Sequence, residues 1–195
     1  MPLSATHKAE TRKKIVTAAR ELFNRYGFNS ISIDEIMARA GLTRGGFYAH
    51  FKNKASLYAE AISSIRQKHE ETGLMERCMI DPEVTREAIA GFYLSPNHRD
   101  NREEGCPLPA LVSDVSREND TVKAAYTDVF QNLSAALAGK YNGSKVEFDK
   151  LDDKAIADAV LCVGGQIISR AINDKETSDR ILKACYTELL ARKAK

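Results

Sequence analysis

Tryptophan is absent from this 195-residue chain, and none of its five prolines lies between positions 3 and 81. Without proline to break them, helices are free to run. Apolar residues recur at helical spacing in nearly every long segment, which points to an all-α fold. Cysteine is sparse: Cys78, Cys106, Cys162 and Cys185 form no CxxC pair and have no histidine at ligand spacing. No metal site and no cofactor is expected, and reduced thiols in a cytoplasm fit better than a disulfide framework. Long apolar runs are missing too. The most apolar stretch, 155–172, is interrupted by Asp158, Gln166, Ser169 and Arg170, so it does not read as a membrane span. No secretory signal pattern opens the chain, and a cytoplasmic location is expected. Repeats and low-complexity tracts are likewise absent.

Charge is present in both signs but unevenly placed. Residues 1–54 carry ten Lys or Arg against four acids, a net of +6, whereas the whole chain is +2, leaving −4 for the remainder. One end is suited to a polyanion and the other is not. With 43% hydrophobic residues, the chain can fill one or two small cores.

Within the basic end, residues 32–54 read as two short helices around a turn. Ser32 and Glu35 make a capping box at the first helix, with Ile31 and Ile36 as its hydrophobic staple. Gly41 can take the positive φ that ends a helix. Thr43 is placed to cap the second helix. Ile33, Ile36, Met37 and Ala40 supply an inner face, which Leu42, Phe47 and Phe51 complete. Such a pair is a helix-turn-helix, whose second helix enters the major groove. Arg44 at its start can donate two parallel hydrogen bonds to guanine. Gly45 and Gly46 cost helix propensity but let the backbone approach the bases. Thr43, Tyr48, His50, Lys52 and Lys54 suit phosphate oxygens; with Ser32 at the start of the first helix they complete the expected DNA-binding set. A basic face that merely keeps a helix soluble is the plainer account of Lys8, Arg12, Lys13 and Lys14.

The run Gly-Leu-Thr-Arg-Gly-Gly-Phe-Tyr-Ala-His-Phe-Lys-Asn-Lys at 41–54, with Phe23, Gly27 and Phe28 upstream, resembles the DNA-binding domain of the TetR family of bacterial transcriptional regulators. The likeness covers residues 7–60. It implies phosphate contacts at Tyr48 and Lys54 and a recognition helix beginning at Thr43. Gly46 stands where many members carry Thr or Ser, so one polar contact is expected to be missing. For the second domain the resemblance implies architecture but no ligand.

About nine helices are expected, divided between a helix-turn-helix domain over 1–54 and a ligand-binding and dimerisation domain over 55–195. The first runs over 7–25, burying Ile15, Ala18, Leu22 and Phe23. A longer one spans 54–73, with Leu57, Ala61, Ile62 and Ile65 inward. Asp81-Pro82 is a cap with proline at the first helical position, opening a helix to residue 94. Residues 95–105 read as a loop, followed by helices over 106–117 and 120–137 and a polar loop over 142–145.

The last two helices suggest an assembly. Over 152–172 two apolar stripes appear: Ile156, Val160, Val163, Ile167 and Ala171, and beside them Ala157, Leu161, Gly164, Ile168 and Ile172. Two apolar faces need two partners, the helix's own core and the same helix of a second subunit. Gly164 and Gly165 each cost roughly 1 kcal/mol against Ala, and close helix approach would compensate; a kink or a ligand pocket is the competing explanation. Over 178–191, Ile181, Leu182, Cys185, Leu189 and Leu190 continue the pattern, so Gly165, Ile181, Cys185 and Leu189 join the second stripe as the expected dimer interface.

A homodimer with two recognition helices would read a palindromic operator. A small molecule favouring a different helix separation would release it, as expected of a repressor. Pocket candidates are Leu74, Met75, Cys78, Met79, Phe92, Tyr93, Tyr126, Phe130 and Cys162, all of which ordinary core packing also explains. Cys106 admits a further reading. At a helix N-terminus, with Arg99 and Arg102 near in sequence, its thiol pKa would be lowered, as in an electrophile- or redox-sensing repressor; plain packing is the alternative. An enzyme built on Cys106 would need a positioned base, and only His98 is close, so no enzymatic activity is expected. A non-specific DNA-binding protein would spread its charge more widely than this chain does.

Overall fold

The computed structural model describes residues 5–65, 84–141 and 146–191, and among these every regular element is a helix. The N-terminal unit consists of α1 (Ala5–Tyr26), α2 (Ile33–Arg39), a 3-10 segment (Arg44–Ala49) and α3 (Lys54–Ser63). The capping box expected at α2 is present. Ser32 Oγ accepts from Glu35 N at 3.2 Å while Glu35 Oε2 accepts from Ser32 N at 2.7 Å. After α2, Gly41 takes φ +72°. Its N–H reaches Ala38 O at 3.0 Å and that of Leu42 reaches Met37 O at 2.8 Å, the paired bonds of a Schellman stop. Asn53 and Ser56 make a second capping box at α3.

The recognition segment departs from expectation. It is a six-residue 3-10 helix rather than an α-helix, and Thr43 makes no side-chain cap. Adjacent glycines offer the least resistance to the tighter winding, since they contribute the most backbone freedom and the poorest α-propensity.

The second half comprises α4 (Arg86–Tyr93), α5 (Pro96–Asp100), α6 (Pro107–Val115), α7 (Asp120–Leu137), a 3-10 turn (Phe148–Lys150), α8 (Asp153–Ala171) and α9 (Lys175–Ala191). Among the described residues α4 starts at Arg86, capped by Thr85, later than the Asp81-Pro82 signal suggested; that signal, like the loop over 142–145 and the last part, 66–73, of the helical run expected to 73, lies outside the described residues. The expected loop over 95–105 contains a helix, α5. Ser95 accepts from His98 N at 3.1 Å, and Pro96 occupies the first helical position, a start signal masked by the surrounding Asn and Asp.

Buried side chains form one cluster that continues across position 54. Leu57, Tyr58, Ala61 and Ile62 of α3 sit at its centre, between α1 and α7. α8 is the surprise. Its inward face is Ala155, Asp158, Ala159, Cys162, Val163, Gln166 and Ser169, whereas Val160 and Ile168 are 56% and 52% exposed. The core side therefore mixes small apolar residues with hydrogen-bonded polar ones, while some of the larger apolar residues point outward. Asp158 accepts from Arg86 at 2.7 Å and from Lys154 at 3.0 Å, and Arg86 also caps Leu189 O at 2.6 Å, fastening α4, α8 and α9. Two expected interface residues face inward instead. Leu189 is fully buried. A Cβ on Gly165 would lie 2.8 Å from Leu94 Cδ2 and 3.0 Å from Cys185 Sγ, so this glycine serves packing within the subunit. Among the described residues no helix is long and apolar enough to cross a membrane.

Candidate nucleic-acid interface

The recognition segment is displayed on one side and pinned on the other. Phe47 and Phe51 are buried beneath it. Thr43, Arg44, Gly45, Tyr48 and Lys52 are exposed, and Ser32 lies exposed at the start of α2. A Cβ on Gly45 would meet nothing within 4 Å, so bare backbone faces outward there; one on Gly46 would lie 3.5 Å from Met37 Cε. Tyr48 is 63% exposed and its ring stands edge-on to Phe47, with centroids 5.2 Å apart. Arg44 Nη1 donates to Asp34 Oδ2 at 2.6 Å.

Two members of the expected set are partly occupied. Lys54 turns its ammonium onto Phe28, donating to the carbonyl and lying 4.3 Å over the ring. Burial lowers its pKa. In this state its first partner is the chain at Phe28, just past α1, not solvent or phosphate. His50 is half-buried, and its Nδ1 has no hydrogen-bond partner. Burial, then Lys8 and Arg12, lower its pKa.

Arg12, which sequence reasoning left in a solubilising face, clamps the end of the segment. Its guanidinium donates to His50 O and to Glu60, with Nε to Oε1 at 2.8 Å, and stacks 4.2 Å over Phe51. Contacts 48 residues apart in the chain leave no trace in helical periodicity.

The N-terminal unit is also bolted to the rest. Asn24 Nδ2 donates to Glu103 O at 3.2 Å and Gly105 O at 3.1 Å. The Phe28 N–H, presented after Gly27 turns at φ +82°, donates to Asp114 Oδ2 at 2.8 Å. Arg25 pairs with Glu103, and Arg39 approaches the same carboxylate at 3.9 Å.

Among the pocket candidates, Met75, Cys78 and Met79 lie outside the described residues. Tyr93, Cys106 and Cys162 are buried, and Cys106, Cys162 and Tyr126 all lie in the neighbourhood of Tyr93. Phe92 is half-buried, its ring 6.0 Å from that of His98. Tyr126 donates to Leu108 O at 2.9 Å. Phe130, one turn along α7 from Tyr126, stacks on Phe148 with ring centroids 6.3 Å apart.

Cys106 overturns the expectation of an activated thiol. It is the N-cap of α6, but burial outweighs the neighbouring donors and pushes its thiol pKa up. Arg99 is engaged by Asp100 and Asp179, and Arg102 donates to Arg170 O. His98 is fixed by both nitrogens: Nδ1 lies 2.8 Å from Tyr93 O, and Nε2 accepts the Cys106 N–H at 3.3 Å. A carbonyl on one side and an N–H on the other require the neutral ring with its proton on Nδ1.

The sequence model described as "Bacterial regulatory proteins, tetR family" matches residues 15–61, which include α2 and the recognition segment. The HTH-type transcriptional regulator AcrR of Shigella flexneri is 47% identical over 51 residues, 26% of this chain and 24% of that protein, so the chain spans about a quarter of its length. Two solved structures share the fold over nearly the whole chain. The reduced form of NemR from E. coli has a TM-score of 0.69 at 17% identity, covering 92% of this chain and 95% of its own. The SmeT–triclosan complex has a TM-score of 0.57 at 21% identity, covering 95% and 92%. Residues 15–61 thus carry the helix-turn-helix described for the TetR family of bacterial regulatory proteins, on a helical fold that solved TetR-family structures share.

Proposed function

We propose that the chain is a DNA-binding transcriptional regulator that acts as a homodimeric repressor on a palindromic operator and is released by a small molecule. The observation that carries this is the recognition segment itself. Its polar groups and bare Gly45 backbone are exposed while its aromatic residues anchor it from below. Arg44 is the base-reading residue. Thr43, Tyr48, Lys52 and, after leaving Phe28, Lys54 take phosphates, with His50 and Ser32 at the margins.

The outward face of α8 and α9 supports the dimer. Ala157, Val160, Leu161, Gly164, Ile168, Ile181 and Cys185 line one continuous groove with Glu188 at its side. An apolar surface of that kind on a DNA-binding subunit is suited to a second copy. Two-fold symmetry then places the recognition segments about 34–36 Å, or a multiple of that, apart. For release, the bolts from Asn24, Arg25 and Phe28 to Glu103, Gly105 and Asp114 are the physical route by which a change in the C-terminal half would reach the N-terminal unit. The ligand is a small molecule, a reading in keeping with the triclosan complex of SmeT. The buried, raised thiol of Cys106 weighs against a thiol-sensing repressor.

The test is to bind sheared DNA of the source genome to the purified protein at near-physiological salt and sequence what is retained. A shared near-palindrome beside one or a few genes is the expected result. Fragments with no common sequence would overturn the specific regulator in favour of non-specific binding.

A further inference from the structure

The base-reading arginine is held by an acid. Between positions 32 and 54 the only acids are Asp34 and Glu35, and Glu35 is occupied by its capping box. Asp34 instead accepts from Arg44 Nη1, with the two side chains 54% and 63% exposed. An exposed pair of this kind adds little to the stability of the fold. A carboxylate on a face built for a polyanion also weakens every phosphate contact near it. The first turn of α2 accounts for an acid at Asp34, since negative charge there complements the helix dipole. It does not account for the choice of partner. Arg44 is followed by Gly45 and Gly46, which have no side chains to brace it, so the brace comes from α2. Because Nη1 is the nitrogen taken, the Nε–Nη2 edge is left open. That edge is two parallel N–H donors, the fork that matches guanine O6 and N7.

We propose that Asp34 is a specificity-determining positioning residue: it grips Arg44 by Nη1, presents the open fork to a guanine, and keeps the guanidinium from settling on a neighbouring phosphate. The proposal rests on the recognition segment being the base-reading element. Its consequence is a trade, in which loss of the Asp34 charge tightens binding to DNA in general while blunting the choice among sequences.

A pool of randomised duplexes, sequenced before and after binding, separates these effects for the full chain and for Asp34→Ala, Asp34→Glu, Arg44→Ala and the double variant. Asp34→Ala is expected to bind the unselected pool more tightly. It is also expected to lose roughly tenfold in discrimination at one base pair per half-site, the scale of one bidentate contact. Arg44→Ala loses preference at the same base pair, and the double variant loses no more there than Arg44→Ala alone. Asp34→Glu, which keeps the carboxylate, retains most of the preference. Undiminished preference in Asp34→Ala, loss at a different base pair, or additive losses in the double variant would each overturn the proposal. The second of these would show Asp34 reading a base itself. Absence of any preference in the unmutated protein would instead overturn the base-reading assignment and this proposal with it. If Asp34→Ala fails to fold, Asp34→Ser, which removes the carboxylate and suits the first turn of a helix, carries the same expectations.

Discussion

His98 is held as a neutral ring between Tyr93 O and the Cys106 N–H, and burial pushes its pKa from 6.5 down to about 4. The unfolded chain accepts a proton there near pH 6.5 that the folded chain refuses. Folding stability therefore falls as pH falls from about 6.5 to about 4, by at most about 3 kcal/mol from this group. Urea titrations at several pH values should show a shallower decline in His98→Gln over that window; equal slopes would contradict the assignment. Asp158, buried between Arg86 and Lys154, gives a second residue-level expectation. Asp158→Ala leaves Arg86 without its carboxylate and should destabilise the fold by about 3–5 kcal/mol, read as a lower denaturation midpoint. Sequence reasoning saw Asp158 only as an interruption of an apolar helix, because a buried ion pair spanning 72 residues has no local signature. It did find Ser32, Glu35, Gly41, Phe47 and Phe51, whose roles are set by neighbours within a few positions.

At the scale of elements, the adjacent glycines of α8 do different jobs. Gly165 is filled around by Leu94 and Cys185, whereas an added Cβ on Gly164 meets nothing within 4 Å. Gly165→Ala is expected to cost about 1–3 kcal/mol through overpacking, partly offset by helix propensity. Gly164→Ala should stabilise the isolated subunit by up to about 1 kcal/mol. Thermal melts of the two variants should move in opposite directions. The pattern of helices was legible where apolar periodicity ran long, as in α1, α7 and α8. It failed at α5, where a cap and a proline stand within a loop-like composition. It failed also at the recognition segment, where two glycines let tertiary packing of Phe47 and Phe51 choose the winding. The inner face of α8 was read only in part for a related reason: periodicity counts apolar residues, but here Asp158, Gln166 and Ser169 find partners inside, and Val160 of the first stripe is left outside.

For the whole molecule, that outward stripe sets the expected assembly. Ile168→Asp places a charge in the middle of the exposed α8 face and, if two copies meet there, should shift the protein to monomer in sedimentation at micromolar concentration while the subunit stays folded. A variant that still sediments as a dimer would move the interface elsewhere. The division of the chain at residue 54, natural from charge alone, is crossed by a core and by hydrogen bonds that neither composition nor motif could disclose. Two of those bonds, from Asn24, end on the main-chain oxygens of Glu103 and Gly105. A carbonyl oxygen is present whatever side chain the residue bears, so the bond to Glu103 survives a change of that side chain, whereas Gly105 is fixed, because a Cβ there would lie 2.7 Å from Asn101 O. Residues of the C-terminal half away from Gly105 and Asp114 can therefore change while this connection to the N-terminal unit persists.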